Sequence, residues 1–281
     1  MRTLAPLSIA PFVPRERPLT NEPLISIVRQ MNLDLNSLLR DWPHEPGQIK
    51  VRKIVGNDGR EKLQLRIDLG LIQMDVAGRP DGQRPHDAES LLVYHQARAR
   101  AKEGDGKTYA LTTEDCGELQ QEGIQYYHRY ISFFQLNDYA GVIRDTQRNL
   151  DLFDFISKHA EREELSTAME QFRPYVLMMN TRAKASIELD RGEFDAAVKL
   201  IERGRDKIVG VYQEMNTPEL AEKSPEVAFL DEWVQEVRAK RPLSKLEIMQ
   251  RDMENAIALE AYEKAAELRD AIRAYSRNGN S

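Results

Sequence analysis

The sequence predicts a mainly α-helical protein. It is built of irregular helical hairpins, with a small N-terminal antiparallel β-element and a regular C-terminal hairpin. Three observations carry this. Apolar residues alternate with polar ones only between about residues 49 and 76. Helical spacing of apolar residues runs from about residue 87 onward. Short junctions rich in capping residues break that helical stretch into pieces.

The elements follow in order. Residues 1–23, "MRTLAPLSIAPFVPRERPLTNEP", carry prolines at 6, 11, 14 and 18. They lack the continuous apolar core of a signal peptide and read as an extended arm. Residues 24–86 hold a short helix over 24–40, "LISIVRQMNLDLNSLLR", and then the β-element. Ile49, Val51 and Lys53 alternate with their neighbours, as do Leu63, Leu65, Ile67 and Leu69, with "NDG" at 57–59 between the two runs. Alternation around Asp-Gly signals a hairpin, because glycine accepts the positive φ of a tight turn. Gly70 allows a bulge or bend, "LIQMDVAG" supplies a third strand, and "GRPDG" turns the chain. So small a sheet must bury one face on helices.

Residues 87–241 read as a helical-hairpin domain. Asp87 caps "AESLLVYHQARARAKE", and Thr112 or Thr113 caps the run that ends at "SFFQL". "DYAGVIRDTQRNLDLFDFISKHA" follows after only two residues, and Pro174 begins or kinks the next helix. "GEF" at 192–194 is a tight junction, and Ser224 with Pro225 opens a further helix. Three junctions read alike. "NDYAGVI", "GEFDAAV" and "EAYEKAA" each place an aromatic (Tyr139, Phe194, Tyr262) three residues before a small or β-branched residue (Val142, Ala197, Ala265). That is the pattern of antiparallel helices joined by a short loop, an aromatic over the joint and a small residue where backbones meet. The first two resemble tetratricopeptide hairpins, with Ala185, Phe194 and Ala197 at the small and aromatic positions. The interval between junctions varies, so irregular packing is expected rather than a regular array.

Residues 242–276 form the last unit, and 277–281 a disordered tail. Ser244 and Glu247 make a capping box. Leu246, Met249, Met253 and Ala256 form one seam, and Ala261, Ala265, Leu268, Ile272 and Tyr275 the facing one. Such a pair is too small to be stable alone. It needs a second surface, offered by its own domain or by a partner. The run "LEIMQRDMENAIALEAYEKAAELRDAIRAY" resembles the UVR motif, the C-terminal helical hairpin of the excision-repair protein UvrB that also occurs in UvrC. Met253, Ala256, Leu259, Tyr262, Glu263, Ala265, Ala266, Leu268, Arg269, Asp270 and Ile272 match. The resemblance implies a non-catalytic protein–protein contact module, found also in McsA-type adaptors and Clp-type chaperones. The zinc-binding cysteines of McsA have no counterpart here, nor do the Walker glycine loop of UvrB and the nuclease constellation. The interaction residues it implies are Met249, Met253, Ala256, Tyr262, Ala265, Ala266, Arg269, Asp270 and Ile272.

Composition limits the alternatives. The net charge is −6, which gives no global footprint for nucleic acid or anionic lipid. No apolar run approaches the roughly 18 residues of a membrane span. The single cysteine, Cys116, forms no internal disulfide and no Cys-rich zinc site, in keeping with a cytoplasmic protein. His44, His86, His95, His128 and His159 show no ligand spacing, so neither metal nor cofactor is expected. In "YYHRYISFF", Tyr127, Tyr130, Ile131 and Phe134 recur at core spacing. "RARAK" (98–102) and "RAKRPLSK" (238–245) are basic clusters suited to helix-end solvation. The expected function is a non-enzymatic adaptor or scaffold. Its partner would be another UVR hairpin, a Clp-type chaperone or a second copy of the chain. An accessory factor of DNA excision repair, using the basic clusters on nucleic acid, is the alternative.

Overall fold

The computed structural model describes residues 34–278. The arm at 1–23, the first part of the helix expected over 24–40 and the tail from 279 lie outside the described residues. The chain divides into Met1–Pro43 and His44–Ser281. In the first unit the described helix is α1 (Asn36–Leu39), where the Asp34 carboxylate accepts from the Asn36 backbone N–H at 2.9 Å.

The second unit begins with a meander of β1 (Lys50–Val55), β2 (Glu61–Ile67) and β3 (Gly70–Asp75), antiparallel and in sequential order. Gly59 takes φ +74° in the first turn, and the Asp58 carboxylate accepts from the Arg60 N–H at 3.1 Å. That hydrogen bond, with Lys62 and Arg60 beside it, holds the Asp58 carboxyl well below its usual range. Gly70 forms no bulge. It pairs with Ile67 across a two-residue turn, Asp68–Leu69. Alternation puts Leu63, Leu65 and Met74 in the core, while Leu69 at the turn is 89% exposed. On the other face Gln64 is also buried, linked to Gln73 at 2.9 Å and to Arg52 at 2.7 Å.

Ser90, not Asp87, caps α2 (Leu91–Gly104), its Oγ accepting from the Val93 N–H at 3.2 Å. Asp87 sits at φ +60° at the end of a 3₁₀ turn, whereas an N-cap needs extended backbone. α3 (Thr113–Gln135) opens with a capping box of Thr112 and Asp115. α4 (Tyr139–His159) is capped by Asp138. A short α5 (Glu163–Glu170), not expected from the sequence, precedes α6 (Arg173–Asp190), whose first turn holds Pro174. α7 (Phe194–Glu214), a four-residue α8 (Pro218–Ala221) and α9 (Pro225–Lys240), capped by Ser224, complete the body. Two further helices, α10 (Lys245–Ala258) and α11 (Tyr262–Asn278), end the chain. α11 thus extends two residues into the expected tail.

The like junctions share one backbone device. Asn137, Gly192 and Glu260, each two residues before the aromatic, take φ +57°, +78° and +57°. The next N–H bonds back to the last turn: Asp138 to the Phe133 carbonyl at 2.9 Å, Glu193 to Glu188 at 2.8 Å, Ala261 to Ala256 at 2.8 Å. This left-handed cap satisfies the orphan carbonyls and reverses the chain. Val142 and Ala197 are fully buried, as the pattern requires. α3 packs on α4, α4 on α6, α6 on α7 and α7 on α9, with the sheet against α3. A Cβ at Gly204 of α7 would run into the Thr181 side chain of α6, so glycine allows that close approach.

Two cores result. One joins Leu63, Leu65 and Met74 of the sheet to Tyr130, Phe133, Met179, Ile201, Ile208 and Leu230. The other joins α2 to α3 and α4 through Leu91, Leu92, Leu119, Leu152 and Ile156.

Candidate protein-interaction hairpin

The hairpin starts after the non-helical link Arg241–Ser244 that follows α9. Ser244 Oγ accepts from the Glu247 N–H at 3.2 Å, and Glu247 Oε2 accepts from the Ser244 N–H at 2.7 Å. Arg241 donates to both carboxylate oxygens of Glu247 and reaches Asp195 of α7 at 3.6 Å. One guanidinium therefore connects the base of the hairpin to the body. The Arg241 fork, with the Ser244 N–H and hydroxyl, lowers the Glu247 carboxyl from 4.5 to about 2. The folded value is the depressed one, so its contribution is present above the ordinary value and is lost as pH falls toward about 2. Acid titration is expected to loosen the start of α10 in that window. Amide exchange at 244–248 checks it, and Glu247→Gln should abolish the pH dependence there.

α10 and α11 pack on each other far more than on any other element. Ala256 and Ala265 are buried between them, and Leu246, Met249, Met253, Ala266, Leu268 and Ile272 are half-buried along the seam. At the open end the Lys245 ammonium lies 5.5 Å from the Tyr275 ring centroid. Glu260 turns the chain in a conformation that costs a non-glycine residue about 1 kcal/mol. Glu260→Gly should stabilise the hairpin by about that amount, seen as several-fold slower exchange of amides at 245–275. Unchanged exchange would count against strain at this turn.

The residues implied by the resemblance fall into two groups. Ala256 and Ala265, flanked by Met249, Met253, Ala266 and Ile272, lie in the seam. Tyr262, Arg269 and Asp270 point to solvent. The aromatic here does not cover its joint as Tyr139 and Phe194 do, for Tyr262 is 66% exposed. Ala261, assigned to the seam from spacing, is exposed as well. Beside Tyr262 stand Leu259, 80% exposed, and Ile257. The Arg269 guanidinium bonds the neighbouring Asp270 at 3.0 Å and holds that carboxyl below its usual range.

Residues 244–278 match the UvrB/uvrC motif. The matched segment runs from the capping serine to the last residue of α11, so the UVR hairpin and the structural hairpin coincide. No curated protein and no solved structure matches the chain. The body, residues 44–243, lies outside the matched segment.

The other sequence features are accommodated structurally. Burial pushes the Cys116 thiol up to about 11, which leaves it un-ionised and unreactive near neutrality. His95 is buried with Nδ1 2.6 Å from the Tyr109 hydroxyl, and desolvation lowers its pKa. His159 Nδ1 meets the Tyr109 carbonyl at 3.3 Å, and His86 stacks on Tyr94. Among the described residues no group of three or more His, Cys, Asp or Glu is placed to hold a metal, and no helix is long and apolar enough to cross a membrane. Arg238 and Lys240 pair with Glu202 and Glu236, and Arg98 lies over the rings of Tyr94 and Tyr109. Tyr130 and Ile131 are buried, whereas Tyr127 and Phe134 are only half-buried.

Spacing did not reveal the buried charges of the body. Arg129 and Asp145 are each about 1% exposed and form a two-pronged pair at 2.6 and 2.9 Å. Glu122, fully buried, accepts from the Leu91 N–H at 2.8 Å and the Leu92 N–H at 3.2 Å, which places a carboxylate on the start of α2. The available signal was an arginine inside the apolar stripe of Tyr126, Tyr130 and Phe133, with an aspartate three residues after Val142 on the next helix.

Proposed function

We propose that the chain is a non-enzymatic, cytoplasmic adaptor whose UVR hairpin docks onto helices of a partner protein. The partner is another UVR hairpin, as in a second copy of this chain, or the corresponding helices of a Clp-type chaperone. The supporting observation is the hairpin's exposed tip. A pair of helices that packs mainly on itself leaves Leu259, Tyr262 and Ile257 uncovered at one end. Clustered exposed apolar residues rimmed by charge favour association, and aromatic anchors dominate such contacts.

The alternative, an accessory role in excision repair through nucleic acid, draws on the motif's setting in other proteins. Its basic residues at 238 and 240–241 are engaged with carboxylates of the chain itself. A cross-linked pull-down from the native host tests the proposal. The intact chain and a Tyr262→Ala, Leu259→Ser variant are compared. Specific protein capture lost in the variant supports the adaptor reading. Equal capture by both, or capture only of nucleic acid, refutes it.

A further inference from the structure

Three helices of the body contribute to one surface that the core leaves partly open. Tyr127 and Phe134 stand seven residues apart on one face of α3. Tyr175 and Arg182 do so on α6, and Phe229 and Trp233 are a turn apart on α9. The rings of Tyr127 and Tyr175 lie 6.2 Å apart between centroids, as do those of Phe229 and Trp233. Arg182 spans the helices, its guanidinium 4.3 Å from the Phe134 ring centroid and 4.7 Å from that of Phe229. All six side chains are half-buried.

Arg182, like Arg98, lies against two rings, and it makes no ion pair among the described residues. Arg129, Arg144, Arg148, Arg173, Arg205 and Arg238 each hold a carboxylate. Arg182 rests on two ring faces, and its one hydrogen bond among the described residues goes to Met179 Sδ at 3.6 Å. Burial lowers its pKa, as expected of a cation short of both water and an anion. A guanidinium held against ring faces still has N–H donors to offer a carboxylate. A single such cation, with the Glu226 carboxylate close to Tyr175, is too little charge for a phosphate backbone.

We propose that this surface binds a segment of a partner protein in which a carboxylate flanked by apolar side chains pairs with Arg182 while those side chains pack on the Tyr and Trp rings. The site is on the body and independent of the UVR hairpin, so either reading can fail without the other.

The chain has two tryptophans, Trp42 and Trp233. A full-length Trp42→Phe protein therefore reports on Trp233 alone. The probe is a blocked heptapeptide with one glutamate between leucines and polar ends, compared with the same peptide carrying glutamine. A saturable change in Trp233 fluorescence is expected, with the glutamine peptide about tenfold weaker, the size of one charge-assisted pair. Arg182→Gln should erase that preference and Arg182→Lys should keep part of it. Should Arg182→Gln fail to fold, the peptide pair on the unaltered surface still decides. Equal affinity for the two peptides, or no saturable change up to about a millimolar, overturns the proposal. So does self-association of the free chain that Arg182→Gln abolishes, which would make a second copy the occupant.

Discussion

Asp145→Ala is expected to cost about 3–5 kcal/mol of stability, the penalty for stranding a buried charge. Arg129 donates through Nε and Nη2 to the Asp145 carboxylate, and through Nη1 to the carbonyls of Asp75 at 3.0 Å and Gly78 at 2.7 Å. Asp145 also accepts from Arg144 Nε at 2.8 Å, and Arg144 in turn reaches the Val76 carbonyl at 3.0 Å. The network thus fastens the exit of β3 to α3 and α4. Removing the carboxylate leaves the Arg129 guanidinium in the interior without its counter-ion. Chemical denaturation measures the loss. The double variant Arg129→Met, Asp145→Leu should cost clearly less than the sum of its two single changes, because no buried charge is then left unpaired; Arg144, which also pairs with Asp145, is half-exposed. Strict additivity would mean that the two side chains act separately and that the pair does not hold the sheet.

What could be read from the sequence was local. The strands showed because one face of a small sheet must be apolar, and Leu63, Leu65 and Met74 supply it. Caps at Thr112, Ser224 and Ser244 showed because a helix start leaves N–H groups that only a short polar side chain can reach. The choice between Asp87 and Ser90 could not be made this way. Both residues cap, and what separates them is the left-handed backbone at Asp87, set by the preceding 3₁₀ turn. The repeated aromatic was visible, but the left-handed residue two positions earlier was obscured. It is asparagine, glycine or glutamate, and glutamate is no usual signal for that conformation.

Features that depend on two distant elements were hidden. Arg129 reads as an error in an apolar stripe until α4 brings Asp145 beside it. Arg182 reads as ordinary solvated charge until Phe134 and Phe229 close around it. In the hairpin, the seam followed from a spacing of three and four. The exposure of Tyr262 did not, because an aromatic at the same register covers the joint in the two hairpins of the body. There a neighbouring helix continues the packing. At the end of the chain none among the described residues does.

The hairpin prediction follows from that difference. Ala256 and Ala265 are the small residues of the joint between α10 and α11, and both are less than a tenth exposed. Ala265→Leu should overpack the joint at a cost of about 1–3 kcal/mol. Since the hairpin packs mainly on itself, the loss should appear as early exchange of amides at 245–275 while those of α3, α4 and α6 stay protected. Partner binding should fall as a consequence. Arg269→Glu should act in the opposite order. The Arg269 and Asp270 side chains are 52% and 62% exposed, and a surface pair contributes about 0–1 kcal/mol, so exchange and melting should barely move. A reversed charge at the rim should instead slow association with the partner and make its salt dependence shallower. If Arg269→Glu loosens the hairpin as readily as Ala265→Leu, its charges hold the two helices together. The outward face would then lose its assignment to a partner, and the adaptor reading would fall with it.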